Sequence, residues 1–331
     1  MIEEKPIWQP NPDKVKSTYL AKFMGKCDHS DSDYQEFWQW SIDNSEDFWA
    51  KFWDYADIIG EQGNIALKNP DKMTGGQFFP NGKLNYAENI LKHKTDKPAI
   101  IFEDERGLKN QLSFNELFEQ VSLWAHALKK HGIKKGDRVA ALMPNLPETI
   151  IAYLATASIG AIWSSASPDF GIQGIIDRFD QIDPKIFITV DGYSYNGKNI
   201  DCLDKIKKVQ QSLKTLEHIF IVNNLAHNCD ISKIKNAKFI DDILKEHEPA
   251  NIDFETVSFN HPLCIMFSSG TTGAPKCIVH GHGGTLLQHI KEHQLQCDIQ
   301  ANDKVFYFTT CGWMMWNWLV TALSSEATLL L

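Results

Sequence analysis

The run Cys264-Ile-Met-Phe-Ser-Ser-Gly-Thr-Thr-Gly-Ala-Pro-Lys276, continued by Cys277-Ile-Val-His280, reads as a buried strand, a loop of small residues and a second strand. The loop offers the hydroxyls of Ser268, Ser269, Thr271 and Thr272, the glycines Gly270 and Gly273, and the ammonium of Lys276. Glycines let main-chain N–H groups come close to a polyphosphate, hydroxyls donate hydrogen bonds, and Lys276 supplies charge. The spacing G-x-x-G-x-x-K is not the Walker pattern G-x-x-x-x-G-K-[ST], and no helix is predicted directly after it. An ordinary P-loop NTPase therefore fails on order and context. A plain Ser/Gly hairpin is the competing reading.

Upstream of this loop, strand and helix patterns alternate. Ala99-Ile-Ile-Phe102 reads as a short buried strand, and Ser113-Phe-Asn-Glu116 as a capping-box start for a helix carrying Leu117, Val121, Trp124, Ala125 and Leu128. Arg138 to Met143 is a strand, followed after Pro147 by a helix to about Ile159. Ala161–Trp163, Lys185–Val190 and His218–Val222 are further strands, with helices over Ile172–Phe179 and near Asp201–Leu213. Strands separated by single helices imply right-handed crossovers and an α/β fold with doubly wound, largely parallel sheets. Thr328-Leu-Leu-Leu331 reads as the start of a buried strand, and from it the chain is expected to be a truncated piece of a longer product.

The first ninety or so residues differ in kind. Trp8, Trp38, Trp40, Trp49 and Trp53 are half of the ten tryptophans. They lie in acidic, helix-compatible surroundings, where Asp43, Asn44 or Ser45 is positioned to cap a helix. An exposed aromatic surface of this size is a liability, so these rings are expected to pack against the main domain as a structural cap. This divides the chain into an α-helical, Trp-rich cap over 1–92 and a large α/β domain over 93–331.

With 331 residues, 43% of them hydrophobic, the chain can bury a large core. Its net charge of −9 argues against nucleic acid as a partner, because phosphate neutralisation needs a basic surface. The apolar stretch from Ile150 to Trp163 is too short and too rich in Ala, Ser and Gly to span a membrane. Seven scattered cysteines without a C-x-x-C pair read as reduced thiols of a cytoplasmic protein. His289-Ile-Lys-Glu-His293 fits the H-x-x-E-H pattern of inverted zinc peptidases, with Cys297 on the same helical face. It sits directly behind the loop and lacks an evident further carboxylate ligand, so no metal site is assigned.

Ser268-Ser-Gly-Thr-Thr-Gly-Ala-Pro-Lys276 resembles the phosphate-binding signature of the adenylate-forming acyl-CoA synthetase superfamily. The resemblance covers nearly the whole chain. Phe78-Phe-Pro-Asn-Gly-Lys-Leu-Asn-Tyr-Ala-Glu-Asn-Ile90 is similar to the segment leading into the main domain of the short-chain members. The run from Cys277 to Leu295 and Phe306-Tyr-Phe-Thr-Thr-Cys-Gly-Trp-Met-Met-Trp-Asn-Trp318 resemble the branch of the superfamily that acts on acetoacetate.

The resemblance implies a two-step ligation using ATP, Mg²⁺ and coenzyme A. A carboxylate attacks the α-phosphate of ATP, and the thiol then displaces AMP. The first step needs alignment and charge neutralisation but no base, because a carboxylate is ionised at neutral pH. The resemblance assigns Ser268, Ser269, Gly270, Thr271, Thr272, Gly273 and Lys276 to the β- and γ-phosphates. Trp313, Met314, Met315, Trp316 and Asn317 are assigned to the acyl pocket, Asn317 as a hydrogen-bonding partner of the 3-oxo group. An aromatic helix face packed in the core is the alternative for this stretch. Lys198 and Tyr195 fall where relatives bind coenzyme A, although Tyr195 stands where a second basic residue is expected, and a solvated loop lysine is an equal reading. The resemblance further places the acidic-aromatic motif, the ribose-binding Asp and the domain bearing the catalytic lysine beyond Leu331. On that reading the chain by itself is inactive, and the competing readings are a ligase for another short-chain carboxylate and a non-catalytic nucleotide-binding remnant. Where related sequences have Gly, this chain has Glu326.

Overall fold

The computed structural model describes residues 7–225, 229–268 and 273–331. Pro147–Ser158, Ile172–Phe179 and Leu203–Ser212 are helices, and Arg138–Leu142, Ile162–Ala166, Ile186–Val190 and His218–Val222 are strands. Every residue of Ile186–Val190 is buried, the mark of a strand covered on both faces. These strands form the middle of a seven-stranded sheet. Its order is Ala237–Phe239, His218–Val222, Ile186–Val190, Arg138–Leu142, Ile162–Ala166, Pro262–Ser268 and Lys276–Gly281. All neighbours are parallel except the last pair, an antiparallel hairpin. The chain steps from Arg138–Leu142 to Ile162–Ala166 on one side, then crosses back to Ile186–Val190 on the other. A reversal of this kind marks the place, at the carboxyl ends of the strands, where open α/β sheets bind ligands.

Ala99–Phe102 does not join this sheet. Pro98–Glu103 pairs antiparallel with Lys109–Ser113 and parallel with Thr328–Leu330 in a separate four-stranded sheet. The hairpin turn is built by Asp104, whose carboxylate accepts from the N–H groups of Arg106 (2.9 Å) and Leu108 (3.0 Å). Lys109–Ser113 is polar and largely exposed, so no apolar run marked it in the sequence. The Ser113/Glu116 capping box forms as expected and opens the helix Phe114–Lys130.

The cap consists of the helices Pro12–Ser17, Tyr19–Lys26, Tyr34–Asp43 and Ser45–Tyr55. Asp33 and Glu36 close a capping box on the third. Asn44 stands at the N-cap of the fourth, but its side chain donates backwards to the Trp40 carbonyl, so that end has no side-chain cap. Phe23 is the hub of the cap, edge-on to Phe37, Phe48 and Phe52. Trp53 packs on Phe79 in its own N-terminal region, at 5.0 Å between ring centroids, and on Phe259 far along the chain, at 6.2 Å. The expected burial of the tryptophans holds for Trp53 but fails for Trp8 and Trp38, which are 76% and 48% exposed.

Glu326 has φ +57°, ψ +28°, a left-handed conformation that suits Gly. Its carboxylate lies 3.0 Å from Lys97 Nζ. Glu326→Ala loses this ion pair and keeps the strain. Urea unfolding is expected to rank Glu326→Ala below Glu326→Gly by about 1 kcal/mol. Equal midpoints would mean that the strain is negligible.

Candidate functional site

The loop that opened the sequence reading joins the last two strands of the large sheet. Ser268 and Lys276 are directly opposed across the hairpin, so the two ends of the loop stand side by side. Ser269, Gly270, Thr271 and Thr272 lie outside the described residues. Gly273, at φ +98°, takes a backbone conformation that disfavours any side chain. Lys276 is exposed, and Gln181 Nε2 anchors its neighbour by donating to the Pro275 carbonyl at 2.9 Å.

A second element comes down onto the carboxyl ends of the central strands. Cys311 Sγ donates to the Met143 carbonyl (2.9 Å), and Ser165 Oγ donates to the Cys311 carbonyl (2.6 Å). Behind this anchor runs the helix Met314–Thr321. Its residues divide by side. Trp313, just before the helix, is 68% exposed, Met314 is exposed and Met315 is half-buried. Trp316 is fully buried, donating from Nε1 to Asn145 Oδ1 at 2.8 Å. Asn317 is 2% exposed, and its Nδ2 lies 3.3 Å from Met266 Sδ. Thioether sulfur is a weak acceptor, and Asn317 Oδ1 has no hydrogen-bond partner among the described residues. Met266 stands two residues before Ser268 on the strand that feeds the loop. The fold therefore joins the predicted acyl segment to the predicted phosphate hairpin. Neither Met266 nor Asn145 was singled out as a contact by the sequence, since both meet their partners only through tertiary packing.

Tyr195 and Lys198 face each other across a short hairpin, Gly192–Tyr195 with Lys198–Asp201. Tyr195 is 65% exposed and Lys198 is also exposed. Tyr193 Oη donates to Asp169 Oδ1 at 2.6 Å, fastening the hairpin to the loop that leaves the carboxyl end of Ile162–Ala166.

The H-x-x-E-H segment is pulled apart by its surroundings. The helix His282–Lys291 passes into a π-turn, Glu292–Gln296, closed by the Cys297 N–H on the Glu292 carbonyl at 2.9 Å. Glu292 accepts from Gln288 Nε2 (2.7 Å) and Trp318 Nε1 (3.0 Å), while His289 Nδ1 meets Thr321 Oγ1 at 2.9 Å. His282, His289 and His293 are all buried, and burial pushes each down to about 3. Among the described residues no group of three His, Cys, Asp or Glu side chains could hold a metal ion.

An open, largely parallel sheet with a hairpin of small residues at its edge and an aromatic helix tied to the ends of its central strands makes this an α/β domain. The chain belongs to the AMP-binding enzyme family, which matches residues 87–331, and residues 34–90 match the acetyl-coenzyme A synthetase N-terminus. It is 46% identical to the acetoacetyl-coenzyme A synthetase of Rhizobium meliloti (strain 1021) and 42% identical to the acetoacetyl-CoA synthetase of Gallus gallus. Each match covers 100% of this chain and 51% of the relative. Among solved structures, the acetoacetyl-CoA synthetase of Streptomyces lividans superposes with a TM-score of 0.91 at 34% identity, over 98% of this chain and 51% of that one. The chain spans about half the length of the relatives it matches.

Proposed function

We propose that this chain serves the ATP-dependent ligation of acetoacetate to coenzyme A. An acetoacetate oxygen attacks the α-phosphorus, the bond to the β-phosphate breaks and pyrophosphate leaves. The coenzyme A sulfur then attacks the acyl carbon of the adenylate. AMP departs with its bonding pair, and the thiol proton goes to solvent. Ser268, Ser269, Gly270, Thr271, Thr272, Gly273 and Lys276 would hold the β- and γ-phosphates. Trp313, Met314 and Met315 would flank the acyl chain, with Trp316 packed behind them. Tyr195 and Lys198 would meet coenzyme A. Magnesium would supply charge neutralisation on the triphosphate. With no three-residue cluster among the described residues to hold it, the roles proposed here are those of side chains alone.

The observation that carries the substrate is Asn317. A buried carboxamide whose N–H meets only a thioether, and whose oxygen has no partner among the described residues, keeps hydrogen-bonding capacity in reserve beside the strand that feeds the loop. The 3-oxo oxygen of acetoacetate is an acceptor and would take an Nδ2 N–H, held otherwise only by the weak thioether acceptor of Met266, and butyrate offers no such oxygen. In the intact protein, Asn317→Leu is expected to cut the preference for acetoacetate over butyrate in pyrophosphate exchange about tenfold. An unchanged preference would remove Asn317 from the substrate site. No helix among the described residues is long and apolar enough to cross a membrane, and the seven cysteines are free, in keeping with the cytoplasmic location we propose.

A further inference from the structure

The helix His282–Lys291 carries two buried histidines that the proposed reaction does not use, and both bear on Tyr86. His282 Nδ1 accepts the Tyr86 main-chain N–H at 3.1 Å, so this ring keeps its proton on Nε2. Two turns later on the same helix, His289 Nδ1 lies 2.9 Å from Thr321 Oγ1. The same oxygen is 2.7 Å from Tyr86 Oη and 2.9 Å from the Asn317 carbonyl. Three contacts at hydrogen-bond distance need three protons. A carbonyl can only accept, so Thr321 donates to Asn317, and the Tyr86 hydroxyl donates to Thr321. The third proton then has to sit on His289 Nδ1. The two histidines thus hold opposite tautomers.

We infer that His289 is a positioning residue for the acyl-binding helix: as the Nδ1–H imidazole it fixes, through Thr321, the last turn of Met314–Thr321 against Tyr86, and thereby sets Asn317 beside Met266. Thr321 is one helical turn beyond Asn317, and its hydroxyl accepts from two other elements while it donates within its own helix. Trp318 Nε1 on Glu292 provides a second tie, from the π-turn that ends the histidine helix. With both ties made, the helix cannot roll about its axis, the motion that would swing Asn317 away from Met266. All three members of the bracket are buried, so a lost bond cannot be replaced by bulk water.

This inference rests on the acetoacetate reading, and its test separates the two. In the intact protein labelled with ¹⁵N-histidine, His289 is expected to show the proton on Nδ1. Thr321→Val is expected to abolish that signature and Thr321→Ser to keep it. In kinetics, Thr321→Val should raise the KM for acetoacetate about tenfold while the KM for ATP stays fixed, with Thr321→Ser restoring the wild-type value. A wild-type His289 protonated on Nε2 overturns the bracket, as does a Thr321→Val protein with an unchanged acetoacetate KM. An Nδ1–H signal in a protein that treats acetoacetate and butyrate alike upholds the bracket and overturns the proposed substrate.

Discussion

Lowering the pH from about 7 to about 5.5 is expected to remove about 4 kcal/mol of folding free energy through three histidines alone. His282, His289 and His293 are buried, and the protein holds each at about 3 where an unfolded chain has 6.5. A group depressed in the folded state favours folding while it is neutral in both states. As pH falls below 6.5 the unfolded chain takes up the proton first, and stability drains away until the folded value is reached. Each group loses about 1.4 kcal/mol per pH unit in that window. The physical causes are desolvation first, then repulsion from His261 at His282 and from His293 at His289. His218, His247 and His280 are lowered as well and act in the same direction. Glu88 and Glu148, raised by burial, oppose it, since their neutral forms favour the folded state at low pH. Urea titrations at the two pH values and constant ionic strength measure the difference. A change below about 1 kcal/mol would show that these rings are hydrated or already charged.

Gly283→Ala is the second large effect, a loss of about 3 kcal/mol. A Cβ at Gly283 would stand 2.1 Å from Phe259 Cδ2 and 2.3 Å from Cε2. Phe259 cannot step aside cheaply, because its ring is packed against Phe79 (5.0 Å between centroids) and Trp53 (6.2 Å). The clash therefore spreads along the aromatic stack that docks the cap onto the main domain. Thermal unfolding of Gly283→Ala measures the cost, and adding Phe259→Leu should recover part of it. Full stability in the single variant would mean that the stack has slack. Gly283, in the first turn of the helix His282–Lys291, thus has a packing reason for its glycine.

Local chemistry carried much of this protein in its sequence. The period of the apolar residues and the capping box at Ser113 produced helices and strands close to where they fall, because burial on two faces leaves a continuous apolar run that needs no context to read. The small-residue loop and its departure from the Walker order were legible for the same reason. Each is a property of a few adjacent residues.

What tertiary structure alone decided depends on partners far apart in the chain. Pro98–Glu103 left the main sheet because a polar strand, Lys109–Ser113, and a strand more than two hundred residues later pair with it. Asn85 caps the helix Tyr86–Ile90 through Oδ1, and its Nδ2 lies within hydrogen-bond distance of the carbonyls of Ala157, Ser158 and Glu255, a junction that the run Phe78–Ile90 does not reveal by itself. His289 and His293 looked like metal ligands by their spacing, yet one is bonded to Thr321 and the other packs edge-on against Trp318, at 4.3 Å between ring centroids. Spacing along a helix says which side chains share a face. Which partners meet that face is set by the elements packed against it, here a helix that begins more than twenty residues further on.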